Sequence, residues 1–248
     1  MSKPVSFVGA GPGAPDLLTL RAAERIQQAD RLIWTDSLVC PAIVDLAPAA
    51  CERIKTSNLT LEEVLPLLIE GHRAGLRVVR LHDGDPALYS AINEQICTLN
   101  DEGIPVEVVP GVSAYQAAAA ALERELTVPG VVQTIVLSRA GGRTGVPERE
   151  QLERLASLGA SLCLYLSARH VEEVQQTLLH HYPDDTPVAI GHRVSWPDQW
   201  LTIVPLREMA QMSRERNLIR TTLYIISPAL VPGPERSRLY SPDHDHLF

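Results

Sequence analysis

Short runs rich in valine and isoleucine alternate with longer helix-like patterns through the first half of the chain, and this alternation constrains the fold most. Each short apolar run predicts a strand, and the segments between them carry apolar residues at helical spacing. Such a succession is typical of an α/β protein with a mainly parallel sheet. The predicted strands lie near Val5–Val8, Arg31–Trp34, Arg53–Ile54, Val78–Leu81 and Val106–Val109.

The segment that begins at Thr60 carries a clear helix start. Thr60 and Glu63 have the spacing of a capping box, in which each side chain accepts a hydrogen bond from the free amide of the other residue. Pro66 interrupts the helical pattern, because proline lacks the amide that the helix needs. We therefore expect Pro66 to kink this helix or to shift its start.

The second half contains more strand and fewer crossovers, which favours a mixed sheet. Pro129-Gly130 breaks the helical pattern before it, so we predict an N-terminal α/β domain over 1–125 and a C-terminal α/β domain over 126–228. Residues 229–248, rich in proline, serine and charge, are predicted to form a flexible tail. The predicted elements of this half are strands near Thr134–Ser138, Leu162–Leu166, Val188–Ile190, Leu201–Val204 and Thr222–Ile226, and helices near Glu148–Leu158 and Val171–Leu179.

Composition excludes several functional classes. A formal net charge of −8 argues against a nucleic-acid binder, and no apolar run is long enough for a membrane span. The first residues lack the pattern of a signal peptide, so a cytoplasmic location is expected. The 4 cysteines form no C-x-x-C pair, and His244 and His246 lie in the predicted tail, so neither a disulfide framework nor a metal site is indicated.

Three unusual loops follow predicted strands of the first half. The segments are Gly9–Asp16, which is rich in glycine, His82–Tyr89 and Val109–Ala114. Ligands of α/β proteins bind at the carboxyl ends of parallel strands, where these loops should meet. Glycine lets a ligand approach the backbone closely. The three loops together predict a ligand site.

The first loop does not match the dinucleotide-binding pattern. Its glycines are spaced G-x-G-x-G, with an embedded proline, rather than G-x-G-x-x-G. Asp36, however, follows the second strand, roughly where a dinucleotide fold places its ribose-binding acid. A nucleotide-dependent oxidoreductase, or a nucleotide-sensing module, therefore remains an alternative.

The sequence resembles the tetrapyrrole methylase family in the strings of these loops. They are VGAGPG over Val8–Gly13, GDP over Gly84–Pro86 and PGVS over Pro110–Ser113. The resemblance extends to about Pro228. It implies two lobes with a cleft between them that binds S-adenosylmethionine (SAM), and it implies a homodimer, as is common in the family.

Later strings resemble one branch of the family, the precorrin-4 C11-methyltransferases. They are LTVP at Leu126–Pro129, QT at Gln133–Thr134, GRT at 142–144, VPE at Val146–Glu148 and VSWPDQ at Val194–Gln199. The branch implies methylation of C11 of precorrin-4 or cobalt-precorrin-4.

Other members of the family remain alternatives to this branch. Uroporphyrinogen III methyltransferases usually carry Lys-Gly-Gly-Asp-Pro in the second loop, whereas this chain has His-Asp-Gly-Asp-Pro over His82–Pro86. A methylase of another corrin position, of uroporphyrinogen III, or of a protein side chain, as in diphthine synthases, stays open.

Carried over by position, the resemblance predicts a set of cofactor contacts, most of them through the backbone. After methyl transfer, the product left from SAM would be S-adenosylhomocysteine (SAH). The predicted cofactor-binding residues are Gly11, Pro12, Asp83, Gly84, Asp85, Leu88, Ser113, Ala114, Leu166, Ser167, Val194 and Thr222.

A polycarboxylate tetrapyrrole requires cationic partners, and the arginine fork suits carboxylates best. Arg143, between two short glycine stretches, is the strongest candidate. Asp36 is a candidate for orienting the macrocycle or managing its protons, and His82 is a further candidate beside the second loop. No nucleophilic side chain is expected. Other basic candidates are Arg139, Arg169, Arg193, His170 and His192.

Overall fold

A computed structural model describes residues 3–141, 145–231 and 233. Contacts within the chain define two compact units: the first reaches to Ala117 and includes Val194–Asp198, and the second begins at Ala118 and resumes at Gln199. The proposed domains, 1–125 and 126–228, differ from these units in two places. One helix is divided between the units, and the segment after Arg193 belongs to the first. Among the described residues, no helix is long and apolar enough to cross a membrane.

The first unit contains a five-stranded sheet in which every strand pair is parallel. The strand order is β3-β2-β4-β1-β5. The predicted mainly parallel sheet is confirmed, and each predicted strand is present. The strands are β1 Val5–Gly9, β2 Arg31–Trp34, β3 Glu52–Lys55, β4 Val78–His82 and β5 Val106–Val109.

Helices cover both faces of this sheet. Successive strand residues point to opposite faces, so neighbours in one strand belong to different buried clusters. Phe7 and Ile33 lie in one buried cluster with Leu68 and Leu99, whereas Val8 lies in another on the opposite face. Both faces are therefore core, as expected of a parallel sheet. The helices are α1 Leu20–Gln27, α2 Pro41–Val44, α3 Leu61–Arg73, α4 Ile92–Asp101 and α5 Ala114–Ala121, the last shared with the second unit.

Helix α3 starts as predicted. The capping box is formed, and the Thr60 amide donates to Glu63 Oε2 at 2.7 Å. Pro66 lies inside the helix, which runs on to Arg73. Of the two effects expected of Pro66, a shifted start is therefore wrong, and a kink stays a prediction. The capping box sets that start, and the missing Pro66 amide removes one bond, to the Glu62 carbonyl, within the first two turns of the helix.

The second unit contains a mixed sheet with the order β6-β7-β10-β8-β9, which confirms that prediction. β6 and β7 are parallel, and the other neighbours are antiparallel. One face carries a buried cluster that includes Leu164, Val174 and Tyr224. The elements are β6 Ile135–Arg139, α6 Leu152–Ala156, β7 Ser161–Tyr165, α7 Val171–Leu179, β8 Pro187–His192, β9 Trp200–Pro205, α8 Met209–Glu215 and β10 Thr222–Ile226.

Two sequence predictions for this unit need correction. The helix predicted over Glu148–Leu158 is a 3-10 turn and a short α6, because Gln151 has extended backbone angles (φ −61°, ψ 144°) that break the helix. Helix α8 was missed. In the predicted tail, Ala229 and Leu230 are buried, and 232 and 234–248 lie outside the described residues.

Candidate active site

Three loops of the first unit meet at one edge of its sheet. They follow β1, β4 and β5, which are neighbours in the order β4-β1-β5. Because these strands are parallel, their carboxyl ends lie at the same edge. We name the segments the glycine loop (10–16), the aspartate loop (83–90) and the serine loop (110–113).

Backbone hydrogen bonds join the glycine and aspartate loops. The Ala10 amide donates to the His82 carbonyl at 2.7 Å. Gly11 and Gly84 exchange a pair of bonds, at 3.1 Å from the Gly11 amide and 2.8 Å from the Gly84 amide. Both residues have positive φ, +67° and +59°, which glycine adopts without steric cost. These hydrogen bonds therefore hold the two loops together.

Gly9, Gly84 and Gly111 pack backbone against backbone. A Cβ atom on Gly111 would lie 2.1 Å from the Gly84 carbonyl oxygen and 2.9 Å from Gly9 Cα. A Cβ on Gly9 would lie 2.6 Å from Gly111 Cα. The sequence interpretation was that loop glycines admit a ligand. At Gly9 and Gly111 the structure shows a different requirement, because the loops themselves approach too closely for any side chain, whereas Gly84 is required by its positive φ of +59°.

The Asp85 side chain is committed to the protein backbone. Its Oδ1 accepts from the Ala87 amide at 2.7 Å, and its Oδ2 accepts from the Gly111 amide at 2.8 Å. Asp85 therefore shapes the aspartate loop and ties it to the serine loop. If Asp85 contacts the cofactor, the backbone of Asp85 would make that contact, as the sequence predicts for most of these residues.

Asp83 presents a different environment. Its side chain is exposed, yet surrounding protein removes enough water to raise the pKa of its carboxyl group. Within the part of the chain that the structure describes, no basic side chain forms an ion pair with Asp83. The site thus offers an uncompensated carboxylate.

The end of the aspartate loop holds residues in a rare backbone conformation. Tyr89 and Ala91 have φ of 57° and 49°, and Tyr89 is exposed by 45%. Non-glycine residues in this region are strained and cluster at functional sites. Leu88, a predicted contact, is partly buried beside them. Sequence reasoning missed this signal because neither residue type prefers a positive φ.

Beneath the loops, Arg80 and His82 point into the layer that holds Phe7. His82 stacks on the Phe7 ring with centroids 5.8 Å apart, and burial lowers its pKa to about 3. Arg80 donates to Thr56 Oγ1 at 3.0 Å, and burial lowers its pKa to about 10. Arg80 Nε and His82 Nε2 have no partner among the described residues. Both side chains are at least nine-tenths buried.

The serine loop leads directly into helix α5. Ser113 is buried, and its carbonyl accepts from the amides of Gln116 and Ala117, which places Ser113 at the predicted N-cap position. Its own amide donates to Gln116 Oε1 at 2.9 Å. Ser113 and Ala114 thus stand at the start of a helix, beside the other two loops.

Asp36 follows β2 at the same edge of the sheet. It is exposed and accepts a short hydrogen bond from the Ser57 hydroxyl, which lowers the pKa of its carboxyl group. Asp36 is therefore ionised near neutral pH and can act as a base or as an electrostatic partner, but not as an acid.

The segment Val194–Asp198 contacts the glycine loop. Trp196 Nε1 donates to the Pro12 carbonyl at 2.9 Å, and the Ala14 amide donates to Ser195 Oγ at 3.0 Å. Val194, a predicted contact, is buried and belongs to the first unit. The structure therefore brings Val194 into the same unit as Pro12, although 182 positions separate them in the numbering (194 − 12).

Other predicted contacts lie at one edge of the sheet in the second unit. β7 ends at Tyr165 and β8 at His192, whereas antiparallel β10 begins at Thr222, which pairs with His192. Leu166, Ser167 and Thr222 are therefore gathered at this edge.

These residues are held firmly. Ser167 is buried, and its hydroxyl accepts from the Ala140 amide at 2.9 Å and donates to the Tyr165 carbonyl at 2.7 Å. Leu166 has φ of 54° and is exposed by 66%. A strained leucine turned toward solvent is unusual, and it marks this edge as a candidate surface for a ligand.

The basic candidates are partly gathered at the same edge. Arg139 ends β6, and Arg193 follows β8 with φ of 48° and an amide that donates to the Thr221 carbonyl at 2.9 Å. Arg169 and His170 lie in the exposed turn before α7. Arg143, the strongest sequence candidate, lies outside the described residues.

Comparisons with known proteins agree with the resemblance. The family described as "Tetrapyrrole (Corrin/Porphyrin) Methylases" matches residues 4–210. A precorrin-4 C(11)-methyltransferase of Pseudomonas aeruginosa is 43% identical over 245 residues and is covered to 98%, as is this chain. A cobalt-precorrin-4 C(11)-methyltransferase of Priestia megaterium is 38% identical over 247 residues, covering 98% of this chain and 96% of that protein.

Solved structures show the same relationship. A crystal structure of a cobalt-precorrin-4 methyltransferase of cobalamin biosynthesis has a TM-score of 0.89 at 37% identity and covers 92% of this chain and 96% of that one. A uroporphyrin-III C-methyltransferase of Thermus thermophilus in complex with SAH has a TM-score of 0.76 at 27% identity, covering 92% and 98%. The predicted family is therefore confirmed: this chain belongs to the tetrapyrrole (corrin/porphyrin) methylases.

Proposed function

We propose that this enzyme is a SAM-dependent methyltransferase that transfers a methyl group to C11 of precorrin-4 or cobalt-precorrin-4. The observation that carries the proposal is similarity along nearly the whole chain to proteins with that activity in their names. The interlocked loops of the first unit support it. The position of Asp36 is the one feature noted above for the nucleotide-dependent oxidoreductase, and the glycine spacing that such an enzyme requires is absent.

The residues of the first unit fit SAM. Bound SAM would supply a positively charged sulfonium with an activated methyl group. The uncompensated carboxylate of Asp83 suits a cationic ligand, and the glycine-rich loops allow it to be read by backbone amides and carbonyls. The proposed contacts are those predicted from the sequence: Gly11, Pro12, Asp83, Gly84, Asp85, Leu88, Ser113, Ala114, Leu166, Ser167, Val194 and Thr222.

The mechanism requires alignment more than covalent help. An electron-rich pyrrolic carbon would form a bond to the methyl group while the bond from that methyl group to sulfur breaks, with SAH as the leaving group. The enzyme therefore has to hold carbon, methyl and sulfur in line and exclude water. Such positioning can supply up to about 7–11 kcal/mol of the barrier. The hydrogen bonds that fix the loops to one another serve this purpose, because a rigid loop places its ligand reproducibly.

We further propose that arginines of the second unit bind the carboxylates of the macrocycle. Arg139 and Arg193 stand at the same sheet edge as Leu166 and Thr222. Arg143 keeps its proposed role from the sequence. A homodimer is also part of the proposal, on the strength of the family resemblance alone. The cytoplasmic location expected from the sequence is likewise kept as a proposal.

Calorimetric titration tests the cofactor class. We expect SAH to bind tightly and NAD and NADP to give no heat. An assay should then convert precorrin-4 or cobalt-precorrin-4 to a product that carries one additional methyl group, with uroporphyrinogen III as the control substrate. Binding of NAD or NADP without a response to SAH would refute the proposal. Methylation of uroporphyrinogen III in place of precorrin-4 would refute only the assigned substrate.

Exchange of Asp36 for asparagine tests whether Asp36 orients the macrocycle or manages its protons. Asp36→Asn keeps the shape and removes the charge, and we expect kcat to fall at least about tenfold while SAH affinity is unchanged. Asp45→Asn, an exposed carboxylate at the end of α2, is the matched control. If Asp36 only links the segment after β2 to the segment after β3 through Ser57, both variants will keep the kcat of the unaltered enzyme.

A further inference from the structure

The segment Val194–Gln199, with the sequence VSWPDQ, holds the glycine loop through two hydrogen bonds. Two hydrogen bonds from this segment lie on either side of Gly13: Trp196 Nε1 to the Pro12 carbonyl, 2.9 Å, and the Ala14 amide to Ser195 Oγ, 3.0 Å. The partners are separated by 184 and 181 residues in sequence. The glycine loop is therefore held by two residues that lie more than 180 positions later in the chain. We call Ser195 and Trp196 the clamp.

The Trp196 ring also lies directly against Gly13. A Cβ atom built on Gly13 would be 2.2 Å from Trp196 Cδ1 and 2.7 Å from Nε1. Only glycine leaves room for the ring at this distance. Gly13 has φ of +155°, which is also costly for other residues. The last glycine of the loop and Trp196 are thus complementary in shape.

The segment that carries the clamp is strained. Ser195 has φ of 66°, and Arg193, which directly precedes the segment, has φ of 48°, values that serine and arginine rarely adopt. Trp196 packs against the buried cluster that contains Val8 and Trp34, and Val194 is itself buried. This packing holds the backbone in its costly conformation, as is common at functional sites.

We propose that Ser195 and Trp196 are positioning residues that hold the glycine loop in the conformation that binds SAM. The inference rests on the proposed function. Fixing Pro12 and Ala14 before the ligand arrives removes the ordering cost that a free loop would impose on binding. The same segment carries Val194, a proposed cofactor contact, so the clamp also places that residue.

Three variants test the clamp separately from the fold. Trp196→Phe keeps an aromatic ring on Gly13 and removes the N–H donor. Ser195→Ala removes the hydroxyl acceptor, whereas Ser195→Gly removes it and also relieves the positive φ. Trp200→Phe is the matched control, because Trp200 lies in the second unit and stacks with Arg216 at 4.8 Å.

The measurements are SAH affinity by calorimetry, KM for SAM, kcat and the melting temperature. Each clamp variant should weaken SAH binding and raise KM for SAM by about five- to tenfold, the effect of one lost hydrogen bond. We expect kcat at saturating SAM to stay within about twofold and the melting temperature to shift by no more than about 2 °C. Trp200→Phe should leave SAH affinity, KM for SAM and kcat unchanged, and a fall in its melting temperature reports only the lost packing of Trp200 on the core of the second unit. Ser195→Gly should bind SAH as weakly as Ser195→Ala, since the hydroxyl and not the strain is decisive.

The outcomes separate this inference from the proposed function. If the unaltered enzyme binds SAH and the clamp variants bind it equally well, the positioning role is overturned and the methyltransferase assignment stands. If affinity falls only in proportion to the melting temperature, the segment is merely structural and the inference is again overturned. If the unaltered enzyme does not bind SAH, both the proposed function and the clamp fail.

Discussion

Gly111→Ala is expected to abolish SAH binding and to destabilise the enzyme by about 3 kcal/mol or more. The added Cβ would lie 2.1 Å from the Gly84 carbonyl oxygen and 2.9 Å from Gly9 Cα. Both obstacles are backbone atoms, so no side chain can rotate to make room. The loops would have to separate, and the Gly111 amide would then lose its 2.8 Å bond to Asp85.

Urea unfolding and SAH calorimetry measure the two effects. Gly141→Ala is the control, since a Cβ at that position has no neighbour within 4 Å among the described residues, and it should change neither quantity. The prediction fails if Gly111→Ala binds SAH with normal affinity, because the three-glycine contact would then not be required for the site.

The second large effect is a loss of stability in acid that depends on His82. Burial lowers the pKa of His82 from 6.5 to about 3 in the folded enzyme. Below the unfolded pKa of 6.5 the unfolded chain takes up a proton that the folded chain refuses, so stability falls as the pH drops from 6.5 toward 3. The full stabilising effect of a neutral His82 is present above that window. At about 1.4 kcal/mol per pH unit, acidification to pH 4.5 should cost about 2–3 kcal/mol through this residue.

His82→Gln isolates that contribution, because glutamine does not titrate. The variant will be less stable than the unaltered enzyme at pH 7.5, and urea unfolding should show this difference shrinking by about 2–3 kcal/mol at pH 4.5. Both proteins keep a residual decline in stronger acid, since Arg77 lowers the pKa of Asp30. An unchanged difference between the two pH values would contradict the prediction.

Much of the site was predictable from residue types. Glycine, aspartate and proline in the loops after β1, β4 and β5 predicted that these loops meet at one edge of the sheet, and they do, because parallel strands align their carboxyl ends. Residue types did not reveal how the parts are used. Asp85 was a candidate contact, and its two oxygens prove to be occupied by backbone amides. The strained backbone of Leu166 and Tyr89 left no trace in the sequence at all.

The sequence by itself determined the local elements, whose causes are local. Apolar runs specify the strands, and the Thr60–Glu63 capping box specifies the start of α3, because these signals act within a few residues. Where a local signal was absent, as at the extended Gln151 that divides the predicted helix, prediction went wrong. Only the tertiary structure decided that Val194–Asp198 joins the first unit and that Trp196 seats on Gly13. Those contacts join residues more than 180 positions apart, and they are decided by shape complementarity and packing, which no short stretch of sequence contains.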